Sequence, residues 1–204
     1  MTKFCTFYIV RHGETVWNLE KRIQGHGDSP LTAKGLKQIQ KTAQKLKDVK
    51  FDAAFSSDLL RAKKTAEIIL LERKLAVTTT EVLRERRFGK YEGKFFQEMQ
   101  HLYEKIDKLD QNERFQTPLH EDIESDEALI GRFLTFLRET AVAYNGKIIL
   151  IGSHGGLMKT LLIHLGFGNY KNLYGRFIAN GAYIKLTSDG VDFFIEETYG
   201  IKKP

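Results

Sequence analysis

Two stretches of this chain, Phe7-Tyr8-Ile9-Val10 and Ile148-Ile149-Leu150-Ile151, are apolar at every position. An extended backbone sends successive side chains to opposite faces, so both faces of each stretch need cover. Central strands of a parallel sheet, flanked by helices on both sides, meet that requirement. The two stretches also end alike. Arg11-His12-Gly13-Glu14-Thr15 follows the first, and Ser153-His154-Gly155-Gly156 follows the second. Ligands of open α/β sheets bind just beyond the carboxyl ends of the strands. The two histidines are therefore expected at one binding edge.

The rest of the chain extends this pattern. Strand candidates rich in β-branched and aromatic residues fall at 5–10, 53–56, 76–82 and 147–152. Two more, about 182–187 and 191–197, flank Ser188-Asp189-Gly190, which signals a hairpin. Helical spacing links Leu36, Ile39, Ala43 and Leu46. It also links Ala62, Ala66, Ile69 and Leu70, with Ser57 or Asp58 as N-cap. Leu129, Ile130, Phe133, Leu134 and Leu137 predict a third helix that stops at Asn145-Gly146. A fourth runs through Leu157, Leu161, Leu162 and Leu165 to Gly166. Alternating strands and helices predict a three-layer α/β/α sandwich with a mostly parallel sheet, as one domain over residues 1–204. Residues 95–124 form an excursion with one amphipathic helix (Phe96, Met99, Tyr103, Ile106) and a polar stretch from Asp110 to Glu124. Its plain reading is surface decoration; its functional reading is a lid over a substrate.

At 204 residues, 42% hydrophobic and 28% charged, the composition is that of a globular chain rather than a disordered one. The net charge of +6 suits an anionic partner. The lysines are spread along the chain and no nucleic-acid module is recognisable, so a small phosphorylated metabolite is the expected partner. No apolar run is long enough to span a bilayer, and the first residues lack a signal-peptide pattern. The lone Cys5 reads as a small buried residue, and the expected compartment is the reducing cytoplasm.

Four remote segments converge on one sheet edge: Arg11-His12, Ser57 to Arg61, Glu85 and His154. That set suits phosphoryl transfer. A phosphate monoester dianion repels anionic nucleophiles, whereas a neutral imidazole nitrogen can attack phosphorus. Arg11 and Arg61 disfavour the imidazolium and match phosphate oxygens with their guanidinium forks. Glu85, within Leu83-Arg84-Glu85-Arg86-Arg87, is the candidate general acid. Whether the neighbouring arginines point inward, and so oppose its protonated form, stays open.

Taken together, these blocks resemble the histidine phosphatase superfamily, also called phosphoglycerate mutase-like. The opening motif continues through Asn18, Arg22, Gln24-Gly25, Asp28-Ser29-Pro30-Leu31-Thr32 and Gly35. Ser56-Ser57-Asp58-Leu59 with Arg61-Ala62 and Thr65-Ala66 is similar to the second block. Leu83, Glu85, Phe88-Gly89 and Glu92-Gly93 are similar to the block holding the proton donor. Glu124-Ser125 with Arg132 and Ser153-His154-Gly155-Gly156 complete the order. Tyr91 stands where many relatives carry tryptophan, and Asp122-Ile123 replaces a usual glycine. The resemblance implies His12 as the phosphorylated nucleophile and Arg11, Arg61 and His154 as the clamp on the phosphoryl group. It implies Glu85 as acid and base, with Asn18, Gln24, Gly25 and Gly155 at the substrate. It implies no metal and no cofactor.

The expected function is a metal-independent phosphatase acting through a phosphohistidine. The alternatives are a cofactor-dependent phosphoglycerate mutase or a silent phospho-ligand sensor. Mutases carry a longer insertion after the acid block and an asparagine where this chain has Gly156. His26, His101, His120 and His164 match no block, and His164, among leucines, reads as packed. A metallohydrolase built on these histidines lacks ligand spacing in the sequence. Relatives include monomers and dimers, and the choice of phosphorylated substrate rests on the 95–124 excursion.

Overall fold

The computed structural model describes residues 4–173 and 177–202. The strands are β1 (Cys5–Arg11), β2 (Ala53–Ser57), β3 (Val77–Thr80), β4 (Ile148–Ser153), β5 (Ile178–Ser188) and β6 (Phe193–Ile201). They form one sheet in the order β3-β2-β4-β1-β5-β6. The first four in that order are parallel. β5 runs antiparallel to β1, and β6 antiparallel to β5. The helices are α1 (Val16–Glu20), α2 (Ala33–Lys45), α3 (Leu60–Ile69), α4 (Gln100–Ile106), α5 (Gln111–Gln116), α6 (Asp126–Ala143) and α7 (Gly155–His164).

The doubly apolar strands are covered as their pattern requires. Phe7 and Ile9 of β1, with Ile149 and Ile151 of β4, pack against Leu129, Phe133 and Leu137 of α6 and Leu157 and Leu161 of α7. The alternate residues Tyr8, Val10 and Leu150 pack on the other face against Ile39 of α2 and Ala66 and Ile69 of α3. Each fully buried aliphatic side chain contributes about 1.5–3 kcal/mol. The result is the expected three-layer α/β/α arrangement. Cys5 is buried in β1, and burial followed by the Asp52 carboxylate pushes its thiol up to about 12. Among the described residues no helix is long and apolar enough to cross a membrane.

Several local expectations are corrected. The strand expected over 76–82 is shorter, because the chain enters a 3-10 turn at Glu81–Leu83, where Thr80 Oγ1 accepts from Val82 N and Leu83 is buried. β5 starts at Ile178 rather than near 182, and β6 runs on to Ile201. The N-cap of α3 is neither Ser57 nor Asp58. It is Leu59, and the remote carboxylate of Asp28 accepts from Leu60 N at 2.6 Å. Asp58 is instead held by Arg84. The polar stretch after Asp110 contains α5, because the Asp110 carboxylate accepts from Asn112 N and Glu113 N. His164 is exposed and stacked on Phe115 at 6.2 Å rather than packed among leucines.

Gly152 lets α3 lie close to β4: a β-carbon there would stand 2.6 Å from Ser56 Oγ and 2.9 Å from Ala62 O. Gly152→Val should therefore lower the unfolding free energy by about 1–3 kcal/mol, read from the urea midpoint at unchanged slope. A midpoint equal to wild type would contradict this packing.

Candidate active site

The parallel register of β1 and β4 pairs Arg11 with Ser153, and His12 N donates to Ser153 O at 3.0 Å. The next residue of each strand end is a histidine. Their rings meet at 5.4 Å between centroids, inclined by 61°. Both are buried, His12 at 3% exposure and His154 at 0%. His12 Nδ1 lies 2.7 Å from Gly13 O, a carbonyl that can only accept, so the ring proton sits on Nδ1 and Nε2 keeps its lone pair. Burial lowers the His12 pKa well below 6.5, with Arg61 and then Arg11 adding to the effect. Burial also lowers that of His154, followed by Arg61 and His12. Both rings are thus neutral near pH 7.

Arg61 comes from the first turn of α3 and is buried at 2% exposure. Its NH1 donates to Gly27 O at 2.7 Å and to Asp28 Oδ1 at 3.3 Å, and its NH2 donates to Gly25 O at 2.7 Å. Gly25 has φ +54, which glycine adopts without strain. These bonds lock the opening loop to the guanidinium. Among the described residues, Arg61 Nε and both ring nitrogens of His154 are buried with no hydrogen-bond partner. Arg11 donates to Ile178 O at the start of β5.

The Glu85 carboxylate sits on the first turn of α7. It accepts from Gly156 N at 2.7 Å, Leu157 N at 3.0 Å and Arg86 N at 2.8 Å. A helix N-terminus favours an anion, and here the protein's own carboxylate takes those donors. The N–H groups of Gly156 and Leu157 thus serve Glu85 rather than a bound anion. Of the flanking arginines, Arg84 is bonded to Asp58, Arg86 is bonded to Asp126 and to Glu124 O, and Arg87 is exposed. Gly156 has to be small, because a β-carbon would stand 2.5 Å from Glu85 Oε1.

The remaining expected residues also converge. Asn18 Oδ1 accepts from Thr15 N at 3.2 Å, and Gln24 Oε1 accepts from Thr15 Oγ1 at 3.0 Å. Both line a cavity of about 920 Å³ together with Arg11, His12, Gly25, Arg61, Glu85 and Gly155. Its charged lining comprises Arg11, Lys21, Arg22, Arg61, Arg114 and Lys159 against Glu20 and Glu85, so its charge suits an anion. His154 lies against His12 behind this lining.

Three residues to which the sequence assigned no role hold the site. Asn180 Nδ2 donates to His12 O at 3.2 Å and to Asn18 Oδ1 at 3.1 Å. His26 Nε2 donates to Glu85 O at 3.0 Å. The Glu92 carboxylate accepts from His26 N, Gly27 N and Phe88 N, tying the opening loop to the segment bearing Glu85. Only Glu92 carried a signal, its place beside Gly93 in the acid block. Among the described residues, His120, Glu121 and Asp122 bring ligand atoms within 4.8 Å of one another; none of the three lines the cavity.

Residues 7–199 match the model of the histidine phosphatase superfamily (branch 1). A phosphoglycerate mutase-like protein 4 from Arabidopsis thaliana is 36% identical over 160 residues, 78% of this chain and 70% of that protein. The chain belongs to the histidine phosphatase superfamily. An uncharacterized phosphatase PhoE from Bacillus subtilis is 34% identical over 83% of this chain and 80% of its own length. Among solved structures, YhfR of Bacillus stearothermophilus superposes with a TM-score of 0.83 at 30% identity, covering 97% of this chain and 98% of that one. A phosphoserine phosphatase from Entamoeba histolytica, solved with 3-phosphoglyceric acid, gives 0.79 at 26% identity over 95% and 96%.

The buried neutral rings have a consequence for stability. Unfolding restores the ordinary pKa of 6.5 to His12, so below that pH the unfolded chain binds a proton that the folded chain refuses. Stability is then lost as pH falls through 6.5, by up to ~1.4 kcal/mol per pH unit for this ring. Urea titrations between pH 5 and 7 should show a shallower pH slope for His12→Gln than for wild type. An equal slope would mean that the ring is charged in the folded state.

Proposed function

We propose that this protein is a phosphatase that hydrolyses a small phosphorylated metabolite through a covalent phosphohistidine at His12, with no metal ion. The observation that carries this reading is the bare Nε2 of a buried, neutral His12, fixed by its Nδ1–H bond to Gly13 O at the floor of a cationic cavity.

In the first step the Nε2 lone pair attacks phosphorus, the P–N bond forms and the ester P–O bond breaks. The leaving alkoxide takes a proton from the Glu85 carboxyl, whose own chain segment is pinned by His26 and Glu92. Arg61 Nε–H and one ring N–H of His154 are the buried donors left for the phosphoryl oxygens. Together with the Arg11 cation, they stabilise the charge that spreads over the equatorial oxygens in the transition state. In the second step Glu85 removes a proton from water, the water oxygen bonds to phosphorus and the P–N bond breaks. Phosphate leaves and His12 is restored. The 95–124 excursion supplies Phe95, Phe96, Tyr103 and Arg114 to the cavity, and we assign it the selection of substrate.

The test is steady-state hydrolysis of p-nitrophenyl phosphate in EDTA. Wild type should turn over, and His12→Ala should lower kcat by about 10³-fold or more. Rapid acid-labile labelling of His12 without release of phosphate would identify a mutase or a sensor instead. Hydrolysis that needs added metal would overturn the reading.

A further inference from the structure

The main-chain carbonyl of Glu85 is held from two sides. His26 Nε2 donates to it at 3.0 Å from the opening loop, and Arg132 NH2 donates at 3.1 Å from α6. A carbonyl oxygen has two lone pairs, and these donors fill both. Arg132 also donates to Val82 O, and through Nε and NH2 to the Glu124 carboxylate at 2.7 and 3.0 Å. Glu124 is in turn paired with the backbone of Arg87: its N donates to Arg87 O at 2.9 Å, and its carboxylate accepts from Arg87 N at 3.2 Å. Burial works against the Glu124 charge, yet the bonds from Arg132 hold its carboxyl below the usual range. The stretch from Val82 to Arg87 is thus gripped at both ends and at Glu85 between them.

The carbonyl so fixed belongs to the same planar peptide as the Arg86 N–H. Holding the oxygen sets the direction of that N–H, which donates to Glu85 Oε1 at 2.8 Å. Leu157 N donates to the same oxygen at 3.0 Å, whereas among the described residues Oε2 accepts from Gly156 N alone, at 2.7 Å. Two donors occupy Oε1 and one occupies Oε2, so a proton on this carboxyl has its place on Oε2. Donors at the carbonyl also polarise the peptide and strengthen its N–H bond to Oε1.

We infer that Arg132, together with His26, is a positioning residue for proton transfer: the two clamp the Glu85–Arg86 peptide so that its N–H fills Oε1 and the proton is carried on Oε2. This rests on the phosphatase reading above, with Glu85 as acid and base. In the first step the ester P–O bond breaks and the leaving oxygen takes the Oε2 proton. In the second step Oε2 takes a proton from the attacking water. Without the clamp the peptide can turn, Oε1 loses a donor, and the proton is shared between the two oxygens.

Leaving-group dependence tests it. p-Nitrophenolate departs without a proton, whereas the alkoxide from p-nitrobenzyl phosphate needs one, and the two esters differ by a single methylene. Arg132→Met and, separately, His26→Phe should lower kcat/KM for the benzyl ester by about tenfold or more, part of the 10²–10⁴-fold that general acid catalysis supplies. The same variants should leave kcat/KM for p-nitrophenyl phosphate within about twofold of wild type, because that ester draws little on the acid. Arg132→Lys and His26→Gln, which keep a donor, should restore much of the loss. Equal losses on both esters, or no loss on either, would overturn the clamp, and so would wild-type hydrolysis of the phenyl ester alone. If Arg132→Met does not fold, His26→Phe tests the same carbonyl from the other side. If wild type hydrolyses neither ester, the phosphatase reading fails. Amide hydrogen exchange then decides the clamp by itself: Arg86 N–H exchanging about tenfold faster in the variants supports it, and an unchanged rate overturns it.

Discussion

The parallel pairing of β1 with β4 is the constraint on which everything else depends. Its register sets Arg11 beside Ser153, and the next residue of each strand is a histidine. A slip of one residue would turn the side chains of a strand to the opposite face. Both strands are apolar on both faces, so hydrophobic contrast does not choose their register. At the carboxyl end His12 N bonds Ser153 O across this pair, while Asn180 Nδ2 and Gly181 N of β5 both donate to His12 O from the other side. The first histidine is thus tied to both strands that flank β1.

Around that pair the protein spends its polar groups in an asymmetric way. Arg61 commits two nitrogens to loop carbonyls and keeps Nε bare, which fixes the position of the cation and leaves it a donor. Glu85 does the reverse, with both carboxylate oxygens held by backbone N–H groups. Among the described residues, Arg61 Nε and the His154 ring nitrogens are buried with no protein partner. Donors fixed in this way need no rearrangement at the moment of reaction.

Much of this was legible in the sequence, for identifiable reasons. The central strands were readable because burial on both faces leaves an unbroken apolar run, and the strand-end rule placed Arg11, His12, Arg61, Glu85 and His154 at one edge. The support for that edge was less legible. Asn180 falls in a stretch whose alternation is interrupted by Gly181, so the start of β5 was missed along with the residue that ties His12 to Asn18. Asp28 caps α3 from a remote loop, a partnership that no local capping pattern contains. His26 acts through one ring nitrogen on a carbonyl, and nothing in its neighbourhood announces that. Long-range side-chain to backbone bonds have no periodicity, which is why they escaped while strands and helices did not.

The excursion shows how one architecture can serve different substrates. Met99, Leu102 and Ile123 of the excursion pack with Ile23 and Tyr91 in a small cluster of their own. Phe115 of the same excursion packs instead against the core around β1 and β4. The chemistry end is different. Arg61, Gly25, Glu92 and His26 form a closed chain of bonds from α3 through the opening loop to Glu85, so a change in any one is felt by the others. On the proposed phosphatase reading, selectivity between phosphate esters falls to the residues, such as Arg114, that the excursion carries into the cavity.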